Sequence, residues 1–210
     1  MNRPVTHAGY ITGASNDGGA AMSIVLASGS PRRLELLKMI GIKDFKVIPD
    51  TSDEKMIPGL SPEQTVCSIA LQKAGNVSLL CGDDDIIIAA DTLVYLDGRL
   101  LGKPVSPEDA AAMLSALSGR RHTVYTGLAV LRGGISVTAS EKTDVYFRGM
   151  SSSEIHTYVE SGEPMDKAGA YAAQGRGAVF IERVEGDFFN VIGLPICRLG
   201  KILREFGVII

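Results

Sequence analysis

Two adjacent guanidiniums and two hydroxyls occupy Ser28-Gly29-Ser30-Pro31-Arg32-Arg33, where the apolar run Ser23-Ile24-Val25-Leu26-Ala27 gives way to a helix-forming stretch. Such a junction can hold phosphate. A helix start offers unpaired N–H groups and the positive end of its dipole, and arginine adds a fork of donors that matches phosphate oxygens. The alternative is structural, with Ser30 capping the helix, Pro31 in its first position and both arginines solvated. Asp91 directly follows the continuous apolar run Ile86-Ile87-Ile88-Ala89-Ala90. A carboxylate at the end of a buried strand stands where α/β proteins bind ligands; otherwise it opens a turn and bonds to nearby N–H groups. Lys103, between Gly102 and Pro104, either reaches a phosphate or is simply exposed.

Residues 162–177 combine charges and glycines with almost no helical or strand period. A loop of that length in a compact protein usually serves function. Lys167 can meet an anion, and the Gln174 amide can both donate to and accept from the edge of a base. The alternative is a surface loop with Lys167 exposed and Gln174 capping a turn. Two familiar phosphate motifs fail. Gly98-Arg99-Leu100-Leu101-Gly102-Lys103-Pro104 is one residue short of a Walker loop and has proline in place of its hydroxyl residue, and Gly175-Arg176-Gly177 lacks the third glycine of a dinucleotide fingerprint.

These residues need elements to hold them. Ser30-Pro31, Ser61-Pro62 and Ser106-Pro107 each set a capping hydroxyl before a proline and predict three helix starts; Ser151 with Glu154 predicts a fourth, running to about Glu160. Val191 to Pro195 leads into a last helix. Strand signals fall at 23–27, 45–49, 86–90, 93–96, 122–131, 135–147 and 178–183. The alternation of helices and strands predicts an α/β chain, and the turn pairs Asp97-Gly98 and Gly133-Gly134 make some strands antiparallel, so the sheet is mixed.

Composition narrows the class. A chain of 210 residues with 45% hydrophobic content fits one large domain or two small lobes. Its net charge of −3 gives no global basic field, which excludes polymeric DNA or RNA as a partner and requires a local cationic pocket for any anionic ligand. Cys67, Cys81 and Cys197 lie far apart, predicting neither a zinc site nor a disulfide framework but reduced thiols and a cytoplasmic location. His7, His122 and His156 read as surface or element-end residues. No run approaches the roughly 20 apolar residues that span a bilayer, so no membrane partner is expected. Residues 1–22 read as a disordered extension, with Met22 an alternative start, and 23–210 as a single domain.

Five segments taken in order carry a resemblance: Ser28-x-Ser30-Pro31-Arg32-Arg33-x-Glu35-Leu36-Leu37, Ala90-Asp91-Thr92, Gly102-Lys103-Pro104, Asp166-Lys167-Ala168-Gly169-Ala170-Tyr171-x-x-Gln174-Gly175 and Asn190-Val191-x-Gly193-Leu194-Pro195. Together they resemble the Maf family of septum-formation-type nucleotide pyrophosphatases, from about Ser23 to the C-terminus. The resemblance implies an inosine-triphosphatase-like mixed α/β fold with two lobes around a nucleotide cleft. It also implies hydrolysis of a nucleoside triphosphate to the monophosphate and pyrophosphate with a divalent cation (Mg²⁺, Mn²⁺ or Co²⁺), a homodimer and a link to cell division. Under it Asp91 is the proton acceptor, and Arg32, Thr92 and Gln174 set base selectivity in the dTTP/UTP branch rather than the 7-methyl-GTP branch.

Glu54, in the acidic run 50–54, matches an acidic family position and either shares the metal with Asp91 or belongs to a solvated loop. Ser28 with Arg32, Arg33, Lys73, Lys103 and Lys167 make up the phosphate-binding candidates. Two other readings keep the cleft: a nucleotide-binding regulator of septum formation that needs no hydrolysis, and a pyrophosphatase acting on 7-methyl-GTP.

Overall fold

A computed structural model describes residues 22–210, and the expectations for the segment before Met22 lie outside the described residues. Strand β1 (Ile24–Leu26), helix α1 (Pro31–Met39), strand β2 (Phe45–Val47) and helix α2 (Pro62–Ser78) form the first part. Then come β3 (Ile86–Leu96), β4 (Arg99–Leu101), α3 (Pro107–Leu117), β5 (Arg121–Arg132), β6 (Ile135–Phe147) and α4 (Ser152–Glu160). Three 3-10 turns (Glu163–Asp166, Ala168–Ala170 and Arg176–Phe180) lead to β7 (Ile181–Glu185), α5 (Phe188–Ile192) and α6 (Ile196–Glu205). The stretch read as structureless is therefore built of short turns.

All four serine-led helix starts are present. Ser61 and Ser151 close capping boxes with Gln64 and Glu154, and the Ser106 hydroxyl accepts from the Asp109 N–H. Ser30 occupies the N-cap of α1, but its side chain makes no capping hydrogen bond.

The seven strands form one mixed sheet in the order β2-β1-β3-β5-β6-β7, with β4 also on β3. β1 runs parallel to β2 and β3, and the other pairs are antiparallel. The Asp97-Gly98 turn joins β3 to β4 with both residues at positive φ (49° and 77°), as a tight hairpin of this handedness requires.

One expectation is corrected. The segments 86–90 and 93–96 are a single strand that runs through Asp91, so this carboxylate lies mid-strand and not at a strand end. β5 supplies the reason: it pairs with β3 continuously from Ile87 to Tyr95, and that ladder overrides the low strand preference of aspartate. The opposite edge of β3 is interrupted. β1 covers only Ile86 to Ile88, and β4 covers only Val94 to Leu96. Between them the edge at 89–93 has no strand partner, and the sheet opens there.

Side chains alternate across β3. On one face Ile86, Ile88 and Ala90 join a core with Leu128, Leu194 and Leu203, while Val94 and Leu96 join a second core with Leu114, Phe147 and Tyr171. Thr92 separates them within a polar seam, in which the Thr92 and Thr126 hydroxyls lie 2.9 Å apart and the Asn190 amide donates to Thr143 Oγ1. On the other face α2 lays Val66, Ile69, Ala70 and Ala74 over Ile87, Ala89 and Leu93.

Candidate active site

The interrupted edge of β3 floors a cleft of about 800 Å³, with Asp91 and Thr92 at its centre. Asp91 lies opposite Gly127 on β5, and cross-strand partners share a face, here the face under α2. A Cβ on Gly127 would sit 2.3 Å from the backbone carbonyl of Val66, so its hydrogen lets α2 come down onto the sheet. Lys73 is two helical turns beyond Val66 on the same side of α2. Its Nζ donates to Asp91 Oδ1 at 2.6 Å and pairs with Glu54 Oε1 at 2.7 Å. Lys73 therefore faces the site, bonded to its two carboxylates. The other carboxylate oxygen, Asp91 Oδ2, is buried and has no hydrogen-bond partner. A buried carboxylate oxygen left unmatched is costly unless a ligand completes it.

The two arginines at the start of α1 divide the work. Arg33 donates from Nε to the Gly193 carbonyl (2.8 Å), from Nη1 to Ser28 Oγ (3.0 Å) and from Nη2 to Thr92 Oγ1 (3.2 Å). Burial pulls its guanidinium below the ordinary value while Asp91 opposes the shift. Gly193 sits at φ 113°, a backbone conformation that suits glycine, and this aims its carbonyl at Arg33. Arg33 thus ties α1 to β3 and to the turn before α6. Both arginines line the cleft, but Arg32 is different in that its buried Nε has no partner.

The opposite wall brings Lys103 from the turn after β4 and Lys167 from between two 3-10 turns. Lys103 is exposed, whereas Lys167 is ion-paired with Asp166. Ser28, Arg32, Arg33, Glu54, Lys73 and Asp91 are brought together with Thr92, Lys103 and Lys167 around one space. Gln174 is exposed and does not line the cleft; its neighbour Ala173 does.

Tyr171 also lines the cleft, although the sequence reading assigned it no role. It is held from behind by His122, whose Nε2 is 2.8 Å from the Tyr171 hydroxyl. His122 is only 2% exposed, which rules out the surface reading and leaves the element-end one, since it is the second residue of β5. Burial among Phe147 and Tyr171 lowers its pKa to about 4. The signal was present in the sequence, because His122 keeps the alternation of Val124 and Thr126 on β5, both buried.

The Maf-like protein family model matches residues 23–206. This chain belongs to the Maf-like family. Among curated relatives, a dTTP/UTP pyrophosphatase from Caldicellulosiruptor saccharolyticus is 46% identical over 189 residues, 88% of this chain and 94% of the relative. Another protein of that name from Methanosarcina mazei is 49% identical over 187 residues, with the same two coverages. Among solved structures, a HAM1 protein from Coxiella burnetii aligns over 88% of this chain and 99% of its own with 18% identity and a TM-score of 0.46. The five segments that suggested the Maf family lie in α1 and its approach, mid-β3, the turn after β4, the 3-10 region and α5 with the turn after it. Each of these places contributes at least one residue to the wall of the cleft.

A divalent cation can be tested against these donors. Among the described residues no group of three or more histidine, cysteine, aspartate or glutamate side chains is placed to hold a metal ion. Asp91 with its unmatched Oδ2, and Glu54 beside the same lysine, supply hard oxygen donors from two carboxylates. That set fits an ion of the Mg²⁺ kind, which commonly takes one or two carboxylates and completes its shell with phosphate oxygens and water. It does not suit a zinc site, which takes nitrogen and sulfur ligands. No described helix is long and apolar enough to cross a membrane.

Proposed function

We propose that this protein hydrolyses dTTP and UTP to the nucleoside monophosphate and pyrophosphate, with Asp91 as the proton acceptor. The observation that carries the reading is Asp91 Oδ2, a buried carboxylate oxygen without a partner on the floor of a cleft whose walls carry Arg32, Lys103 and Lys167. The name shared by the relatives, dTTP/UTP pyrophosphatase, supports the same reaction and substrate class.

In the proposed reaction a water oxygen bonds to the α-phosphorus as the bridging bond from that phosphorus to the β-phosphate oxygen breaks. Asp91 takes the water proton, and pyrophosphate leaves with the bridging oxygen. Lys73 holds Asp91 Oδ1 and leaves Oδ2 for this task. Arg32, with an unmatched buried Nε, takes up charge on the phosphates together with Lys103 and Lys167. Ser28 and Arg33 fix the start of α1, whose first residues line the cleft and would set the positive end of the helix near an anion bound there. Asp91 and Glu54 would hold a divalent cation, which would supply electrostatic stabilisation of the phosphate charge. Tyr171 and Ala173 form part of the wall from which a base would be met, and Thr92 and Gln174 are the proposed selectivity residues.

The test is pyrophosphate release from dTTP, UTP, CTP, dGTP and 7-methyl-GTP with Mg²⁺ or Mn²⁺. Turnover of dTTP and UTP is expected, and Asp91→Asn should lower it by ~10²–10⁴-fold, the usual share of a general base. Faster turnover of 7-methyl-GTP than of dTTP would move the substrate to the other branch. Binding without cleavage of any triphosphate would favour a regulator.

A further inference from the structure

Gln174 stands at the tip of a segment that is gripped on both sides by two residues outside the cleft. Glu163, at the start of the first 3-10 turn, accepts the Arg176 N–H on Oε2 at 3.0 Å and the Gly177 N–H on Oε1 at 3.1 Å. Tyr158, buried in α4, donates its hydroxyl to Glu163 Oε1 at 2.8 Å and accepts the Ala172 N–H at 3.1 Å. One carboxylate and one phenol thus fix position 172, two residues before the glutamine, and positions 176 and 177, two and three after it. The backbone lies directly on them. A Cβ on Gly175 would meet both Glu163 carboxylate oxygens at 2.7 Å, and one on Gly177 would meet the Tyr158 hydroxyl at the same distance. Gly175 has φ −158°, so a side chain there is opposed by packing against the carboxylate and not by backbone strain. Burial raises the Glu163 pKa, but the amides of Arg176 and Gly177 and the Tyr158 hydroxyl outweigh it and leave the carboxyl below its usual value. Burial raises the Tyr158 pKa and keeps the phenol protonated as a donor.

We propose that Glu163, acting with Tyr158, is a positioning residue for substrate choice: it holds the 172–177 segment, whose Ala172 and Ala173 line the cleft, so that the exposed Gln174 beside them is kept within reach of the base edge of a bound nucleotide. The proposal rests on the reading of the cleft as a pyrimidine nucleoside triphosphate site. An amide side chain offers one donor and one acceptor, the pattern presented by the adjoining carbonyl and N–H of uracil and thymine. It discriminates only if its backbone is held, because a displaced loop lets the amide bond to water or to a different edge. Neither Glu163 nor Tyr158 lines the cleft, so the reacting phosphates are not theirs to touch.

The experiment compares wild type, Glu163→Gln and Gly175→Ala for kcat and KM with UTP and CTP, alongside amide exchange at Arg176 and Gly177. Glu163→Gln replaces one accepting oxygen with an NH2 that faces a backbone donor, and Gly175→Ala sets a methyl against the Glu163 carboxylate, so that loop and carboxylate are forced apart with both clamp side chains chemically unchanged. Both variants are expected to raise KM for UTP about tenfold, to cut the UTP-over-CTP preference about tenfold and to leave kcat within about threefold. The Arg176 and Gly177 amides should exchange at least about tenfold faster in Glu163→Gln. If wild type prefers UTP and both variants keep that preference and KM, the positioning role is overturned while the activity stands. Equal loss of kcat on both nucleotides with KM unchanged also overturns it, because the clamp would then serve the chemistry. A wild-type protein that cleaves no nucleoside triphosphate overturns the activity and this proposal together.

Discussion

Neighbouring arginines with one charge and one shape have unlike surroundings, and their loss should be felt in unlike ways. Arg33 satisfies three oxygens from three parts of the chain. Arg33→Ala strands the Gly193 carbonyl and unties α1, so stability should fall by about 3 kcal/mol, or roughly 6–12 °C in Tm for a domain of this size. Arg32 has an unmatched donor and a place on the cleft wall. Arg32→Ala should keep Tm within about 2 °C while lowering kcat/KM by about 2–4 kcal/mol, the scale of a donor that meets transition-state charge. Thermal melts and steady-state kinetics on the two variants check this division, and equal behaviour of the pair would refute it. Their adjacency at a helix start was legible in the sequence because the motif is local. Which arginine is structural was not, since Gly193 and Thr92 are 160 and 59 residues away from Arg33.

Among the elements, α2 and β3 decide where the acid sits. The serine-led helix starts could be read directly, because a cap is formed within three or four residues. The continuity of β3 through Asp91 could not, because it depends on β5, where the partner of Asp91 is Gly127, 36 positions further along. The approach of α2 hangs on Gly127. Gly127→Ala would place a methyl group within 2.3 Å of the Val66 backbone, so either α2 or β5 must shift. We expect a cost of about 3 kcal/mol from overpacking, together with loss of activity as Lys73 is drawn away from Asp91. Denaturant unfolding checks the first effect. If the variant is fully active and as stable as wild type, α2 does not depend on this contact.

For the whole molecule, acid stability should carry the mark of His122. Its pKa is about 4 in the folded chain and 6.5 as the ordinary value, so the unfolded chain binds the extra proton first as pH falls. Stability contributed by the neutral ring is present above pH 6.5 and is lost between 6.5 and about 4, by up to about 3 kcal/mol. His122→Gln should flatten the pH dependence of Tm in that window, and an unchanged slope would show that other groups control it. The two cores flanking the cleft were anticipated as two lobes, yet they share the strands that cross both. β3 and β5 run from Ile86, Ile88, Leu128 and Val130 in one core to Val94 and Val124 in the other, and their ladder is unbroken beneath the cleft. To swing one lobe against the other would mean bending two hydrogen-bonded strands at Asp91, where the open edge offers no joint. Admission of substrate would therefore fall to the rim segments around Glu54 and Lys103, on the nanosecond-to-microsecond clock of loops and not the slower clock of hinged domains, since the segment around Ala173 is held by Glu163 and Tyr158. NMR relaxation dispersion should accordingly be flat along β3.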